Sequence, residues 1–177
     1  MAVKKQAGNV TADEKTDIKA KETEKTIIPK DVDPSTIISV KNGFQGRLVY
    51  VSPRTHEKFV WDAFGDEQEM ELREVRNAKS SAKKFFLNNW FMFDDDKWVI
   101  DYLGLKNYYK NAINLDKFDE LFKLASDKIA GTISKLSEGQ KKSVAYRARQ
   151  LVAEKKIDSL KTIDALEDAL GIDLIEK

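Results

Sequence analysis

The chain has 177 residues, with 31 basic and 30 acidic side chains and a formal net charge of +1. So weak an overall field does not draw a protein onto nucleic acid or anionic lipid unless a local patch does so. Cysteine is absent, which excludes disulfides, thiolate catalysis and cysteine-held zinc. No run approaches the roughly 20 apolar residues of a membrane span, and no apolar stretch of a secretory signal follows Lys4 and Lys5.

Composition breaks near Pro34. From Met1 to Asp33 there is no aromatic residue and no leucine, while Lys, Asp, Glu, Thr and Ala dominate. Such a stretch cannot bury enough apolar surface to offset the entropy of ordering it. Residues 1–35 are therefore expected to form an extended N-terminal arm. Thr11–Thr26 tolerates a transient helix but lacks the apolar spacing to hold one. Ile27-Ile28-Pro29 and Val32-Asp33-Pro34 read as extended, because a residue before proline is pushed out of the helical region. Two readings stand: a tail without fixed structure, or an arm that docks on a neighbour through Ile18, Ile27, Ile28 and Val32.

The body begins with strands. Ile37–Val40 is short and β-branched, and Asn42-Gly43 is a tight-turn dipeptide. Gly46–Val51 reads as a second strand, Ser52–Glu57 as turn chemistry, and Lys58–Trp61 as a third strand. The expected arrangement is a three-stranded antiparallel β meander. From Asp66 the pattern reads as helical, with Asp66 and Glu69 resembling a capping box and Met70, Leu72 and Val75 leading toward Ala78. A second short helix is expected over 80–88. Trp90–Phe93 fits either a strand or a buried turn.

Residues 95–113 read as two short helices split by Gly104, and Asp116–Leu124 as another. Ser126, Ser137 and Ser159 sit at expected N-caps, and Gly171 at a helix C-terminus. Ile172, Leu174 and Ile175 would tuck back as a final strand or a staple. The fold class expected is α+β: a small meander, then a mostly helical body. The organisation expected is an arm over 1–35, a meander with aromatic-rich helices over 36–113, and a helical subdomain over 114–177. Whether the last two share one core stays open at this level.

Candidate chemistry is sparse. Asp94-Asp95-Asp96 attracts a metal reading, but adjacent carboxylates seldom converge on one ion, and no calcium-loop glycine or glutamate follows. The simpler reading is a solvated turn capping a helix near Lys97. His56, the only histidine, sits in a polar turn with no orienting partner in view. Nucleophile, phosphate-loop and dinucleotide motifs are absent. The sequence thus predicts no enzyme, no cofactor and no metal. Trp98, Tyr102, Tyr108 and Tyr109 read as core side chains or as contact residues, since Tyr and Trp favour interfaces. Lys142, Arg149 and Lys156, spaced seven apart in a basic helix over 137–156, read as a solvated face or as phosphate contacts.

Gly46–Ser52, Phe59-Val60-Trp61 and Phe64–Leu72, with Phe85-Phe86, Asn89-Trp90 and Tyr146–Arg149, together resemble small uncharacterised proteins of tailed phages of Gram-positive bacteria. The resemblance covers roughly residues 37–177 and brings no catalytic residues. It implies a virion structural or assembly protein, in the host cytoplasm during assembly, whose partners are capsid or tail proteins or further copies of itself. The alternative reading is a regulator that binds nucleic acid or host RNA polymerase through helix 137–156.

Overall fold

A computed structural model describes residues 31–175, and it has an α+β fold. Strand β1 (Ile37–Asn42) is the centre of a three-stranded sheet. It runs antiparallel to β4 (Glu67–Glu71) on one side and to the two-residue β5 (Phe91–Met92) on the other. Strands β2 (Leu48–Val51) and β3 (Lys58–Trp61) form a separate antiparallel hairpin.

The three strands expected of the meander are therefore present, but their pairing is corrected. The Asn42-Gly43 pair does not turn β1 back onto β2. The buried Asn42 amide donates to Gly46 O and Ala63 O, and its oxygen accepts from Phe44 N. The Gly43 N–H donates to Trp90 O. These bonds hold the connection open while later strands take both edges of β1.

The helix expected from Asp66 is also corrected. Glu67, Glu69 and Glu71 alternate with Gln68 and Met70, a period of two, and Met70 points into the core. Asp66 clips the preceding turn instead: its carboxylate accepts from Asp62 N and Ala63 N, at 2.9 and 2.8 Å. Helix α1 (Leu72–Ser81) starts directly after the strand. The helix expected over 80–88 shrinks to α2 (Lys84–Leu87). Beyond β5 follow α3 (Trp98–Tyr102), α4 (Lys106–Tyr109), a 3₁₀ helix (Leu115–Lys123), α5 (Ser126–Ile133), α6 (Glu138–Ala153) and α7 (Leu160–Leu170).

Burial is divided between two apolar clusters. The first gathers Ile38, Val40, Trp61, Met70, Leu72, Phe86, Phe91 and Phe93 from the sheets, α1 and α2. Its rings pack edge to face, as Tyr50 does with Phe85 and Phe91. Trp61 donates its indole N–H to Val40 O, and Tyr50 donates its hydroxyl to the buried Glu74 carboxylate at 2.7 Å. Burial, with Glu74 beside it, pushes the Tyr50 phenol up to about 12. Residues 32–36 belong to this body: Val32 packs on the cluster, Pro34 O accepts from Arg73 N, and Thr36 O from Leu72 N.

The second cluster joins Phe118, Leu121 and Phe122 to Ile129, Ile133, Val144, Ala148, Ile163 and Leu166. Ser137 caps α6 by accepting from Gln140 N. At the other two expected caps, Ala125 rather than Ser126 precedes α5, and Ser159 precedes α7 without a side-chain bond. Gly171 ends α7 with φ 66, in the left-handed region that glycine tolerates. Leu174 then tucks back as a staple, its N–H donating to the Glu167 carboxylate at 2.7 Å.

The two clusters meet where α6 begins. A Cβ on Gly139 would lie 2.2 Å from Asn88 O, and one on Gly43 would lie 2.1 Å from Asn89 O. Ser143 donates its hydroxyl to Gly43 O, and the Gln140 amide both donates to and accepts from the Ile113 backbone. Two glycines in helices should therefore respond in opposite ways. Gly139→Ala is expected to cost about 1–3 kcal/mol through overpacking, whereas Gly131→Ala in α5, with open space around it, should gain about 0.5–1 kcal/mol. Urea unfolding of the two variants checks both signs.

Candidate functional site

A groove of about 540 Å³ opens along the seam between the clusters. Four segments build it. Gln45 and Gly46 come from the β1–β2 connection, Phe64 from the turn that Asp66 clips, Phe118 and Asp119 from the 3₁₀ helix, and Tyr146, Arg147 and Gln150 from α6. Phe64 crosses the seam and packs on Phe118, ring centroids 4.9 Å apart, which gives the groove an apolar floor.

Its polar wall is pre-set. The Arg147 guanidinium donates to both Asp119 oxygens, at 2.9 and 2.6 Å, and to Gln150 Oε1 at 3.3 Å. This fork geometry fixes the Arg147 head without a ligand. The guanidinium holds the Asp119 carboxyl below the ordinary aspartate value, and Asp119 in turn raises Arg147. Tyr146 stands beside them, 51% exposed. Asp119 has both oxygens engaged and stays ionised, so it is poorly placed to take up a proton. An apolar floor with a fixed Arg, a Tyr and amides suits binding of another surface.

The residues singled out from sequence are placed elsewhere. Ile18, Ile27 and Ile28 lie outside the described residues, and Val32 packs on the first cluster. Trp98 and Tyr102 are half-buried and pack edge to face, 5.8 Å apart, with the Trp98 indole donating to Asp96. Tyr108 is half-buried against the same cluster. Tyr109 turns inward: its hydroxyl donates to Phe91 O at 2.7 Å, its ring packs on Phe93, and burial drives its phenol well above the ordinary value. None of these four lines the groove.

The basic stripe is interrupted. Lys142 and Arg149 are exposed on α6, but the helix ends at Ala153. Lys156 lies past that end, after Lys155 at φ 55, and pairs with Glu154 at 2.7 Å. Arg149 leans toward Asp173 O. The three aspartates do not form a solvated cap. Asp94 accepts from Leu115 N, Asp95 pairs with Lys41, and Asp96 accepts from Ser39 N. Burial pushes the Asp94 carboxyl up against the pull of its hydrogen bond. Among the described residues, no group of three or more His, Asp or Glu side chains is placed to hold a metal ion. None of their helices is long and apolar enough to cross a membrane.

Sequence reasoning missed Asp119 and Gln150, met Phe64 and Tyr146 as site residues only through the resemblance, and met Arg147 only there and in the basic helix. Nothing local marks the Asp119–Arg147 pair, whose members stand 28 residues apart. No family model, curated protein or solved structure matches the chain.

Because its carboxyl is lowered, Asp119 contributes stability that is present above the unfolded aspartate value. That contribution is lost as pH falls through the lower folded value, in the acid range below about 4. Arg147→Ala should return the Asp119 carboxyl to the ordinary aspartate range in an NMR titration. At neutral pH it should cost less than about 1 kcal/mol, since both groups reach water.

Proposed function

We propose that this chain is a non-enzymatic structural or assembly protein that docks on a larger partner. The observation that carries the reading is the seam groove, where an exposed Tyr146 and a pre-fixed Arg147 flank an apolar floor of Phe64 and Phe118. Tyr and Arg held ready in this way give binding energy at low ordering cost. The N-terminal segment is the second contact. It carries few apolar residues and many charges of both signs, a composition suited to many weak contacts at high local concentration. The tailed-phage setting comes from the resemblance, and in that setting the partner is a capsid or tail protein.

The body starts at residues 32–36, so a deletion that tests the segment should stop at residue 30. Mass spectrometry of purified particles should find the chain at a defined copy number. Deleting residues 1–30, or changing Tyr146→Asp, should lower that number at least tenfold while circular dichroism shows the body still folded. Wild-type occupancy for both variants would sink the reading.

A further inference from the structure

The outer edge of β2 is built like a site that receives a strand. Ser52 N donates to Glu57 O across the β2–β3 hairpin. Hydrogen-bonded pairs recur every second residue in an antiparallel ladder, so Tyr50–Phe59 and Leu48–Trp61 are bonded pairs as well. Val49 and Val51 then turn their N–H and C=O groups away from β3. Among the described residues, no strand or side chain takes those groups up. Both side chains are open to water, Val49 at 39% and Val51 at 51%.

Beside this edge lies a groove of about 300 Å³ whose lining includes Pro53, Ala82 and Phe85. Lys84 lines it, the exposed Arg54, Lys58 and Lys83 neighbour its lining in sequence or across the hairpin, and Glu57 is the one carboxylate of the β2–β3 turn. An unpaired apolar edge of this kind is a liability unless something covers it. Its complement is an extended segment of β-branched residues with carboxylates nearby.

The chain carries such a segment. Thr26-Ile27-Ile28 is β-branched, stands before Pro29, and follows Glu22 and Glu24. It is also within reach. Asp33 and Pro34 lie at the start of α1, where Arg73 N donates to Pro34 O. Ser81, at the far end of α1, lines the groove. That helix is about 15 Å long, and the five residues from Ile28 to Asp33 span up to about 17 Å when extended.

We propose that the free edge of β2 is an interaction surface whose occupant is the chain's own Thr26–Ile28 segment, added alongside as a strand. The contact belongs to the free protein, so it goes beyond the docking function and can fail or hold without it.

Hydrogen exchange of the full-length protein, read amide by amide by NMR with no partner present, tests the contact. It is compared with an Ile27→Asp, Ile28→Asp double variant, which leaves every described core residue unchanged. The Val49 and Val51 amides should exchange at least tenfold faster in the variant. The Leu48 and Tyr50 amides, bonded to β3, should keep their rates and show that the hairpin persists. Equal Val49 and Val51 rates in the two proteins, whether fast or slow, would overturn the proposal.

Discussion

The first turn of α6 rests directly on backbone, and the placement of the two apolar clusters follows from that contact. A helix approaches a carbonyl as closely as Gly139 approaches Asn88 O only where it has no side chain. Gly43 makes the matching concession on the other side, against Asn89 O. Asn89 itself sits at φ 52, a strained value for a residue with a side chain, and its amide is tied to Tyr108 O. Ser143 and Gln140 then convert the close approach into hydrogen bonds with Gly43 and Ile113. With one end of α6 pinned this way, its next turns carry Tyr146, Arg147 and Gln150 over Gln45 and Phe64. The groove is the space left beyond the pinned turn.

Several carboxylates hold separate segments together. Asp94 fastens the β5–α3 connection to Leu115, and Asp95 and Asp96 fasten it to Lys41 and Ser39 of β1, so two separate stretches of chain are tied to it. Each bond is worth about 1 kcal/mol or less where water reaches it, but together they fix a connection that has little regular structure. Asp119 does the same for Arg147. Two of the four basic residues of α6 are held by carboxylates, while Lys142 and Arg149 stay exposed. Lys141 pairs with Glu138 and Arg147 with Asp119, and past the end of the helix Lys156 pairs with Glu154.

What the sequence made legible was whatever depends on near neighbours. The strands Ile37–Asn42, Leu48–Val51 and Lys58–Trp61 show in their β-branched and aromatic content, and Ser137 and Gly171 show as helix ends by residue type alone. Pairing did not show, because nothing in β1 says that β4 and β5 will take its edges before β2 can. Glu67–Glu71 misled for a definite reason. Asp66 with Glu69 three residues on suits a helix start, and only the alternation of Glu with Gln68 and Met70 reveals a strand. The candidate groove was almost wholly hidden, since its floor and wall come from four segments brought together by the seam.

The fate of the aromatic residues bears on where a partner could sit. Tyr and Trp near one another in sequence suggested a contact surface, yet Tyr109 spends its hydroxyl on Phe91 O, and Trp98 turns its indole to Asp96. A side chain whose polar atom is already bonded inside the protein has little left to offer across an interface, because a new partner must first replace that bond. Tyr146 differs in kind: half its surface meets water, and it stands on a helix whose base is fixed. Val49 and Val51 differ in another way, since they present apolar surface and backbone groups that no described residue takes up. The two surfaces therefore select different occupants. The seam fits side chains that can stack on a ring and meet a guanidinium, and the β2 edge fits an extended, β-branched segment.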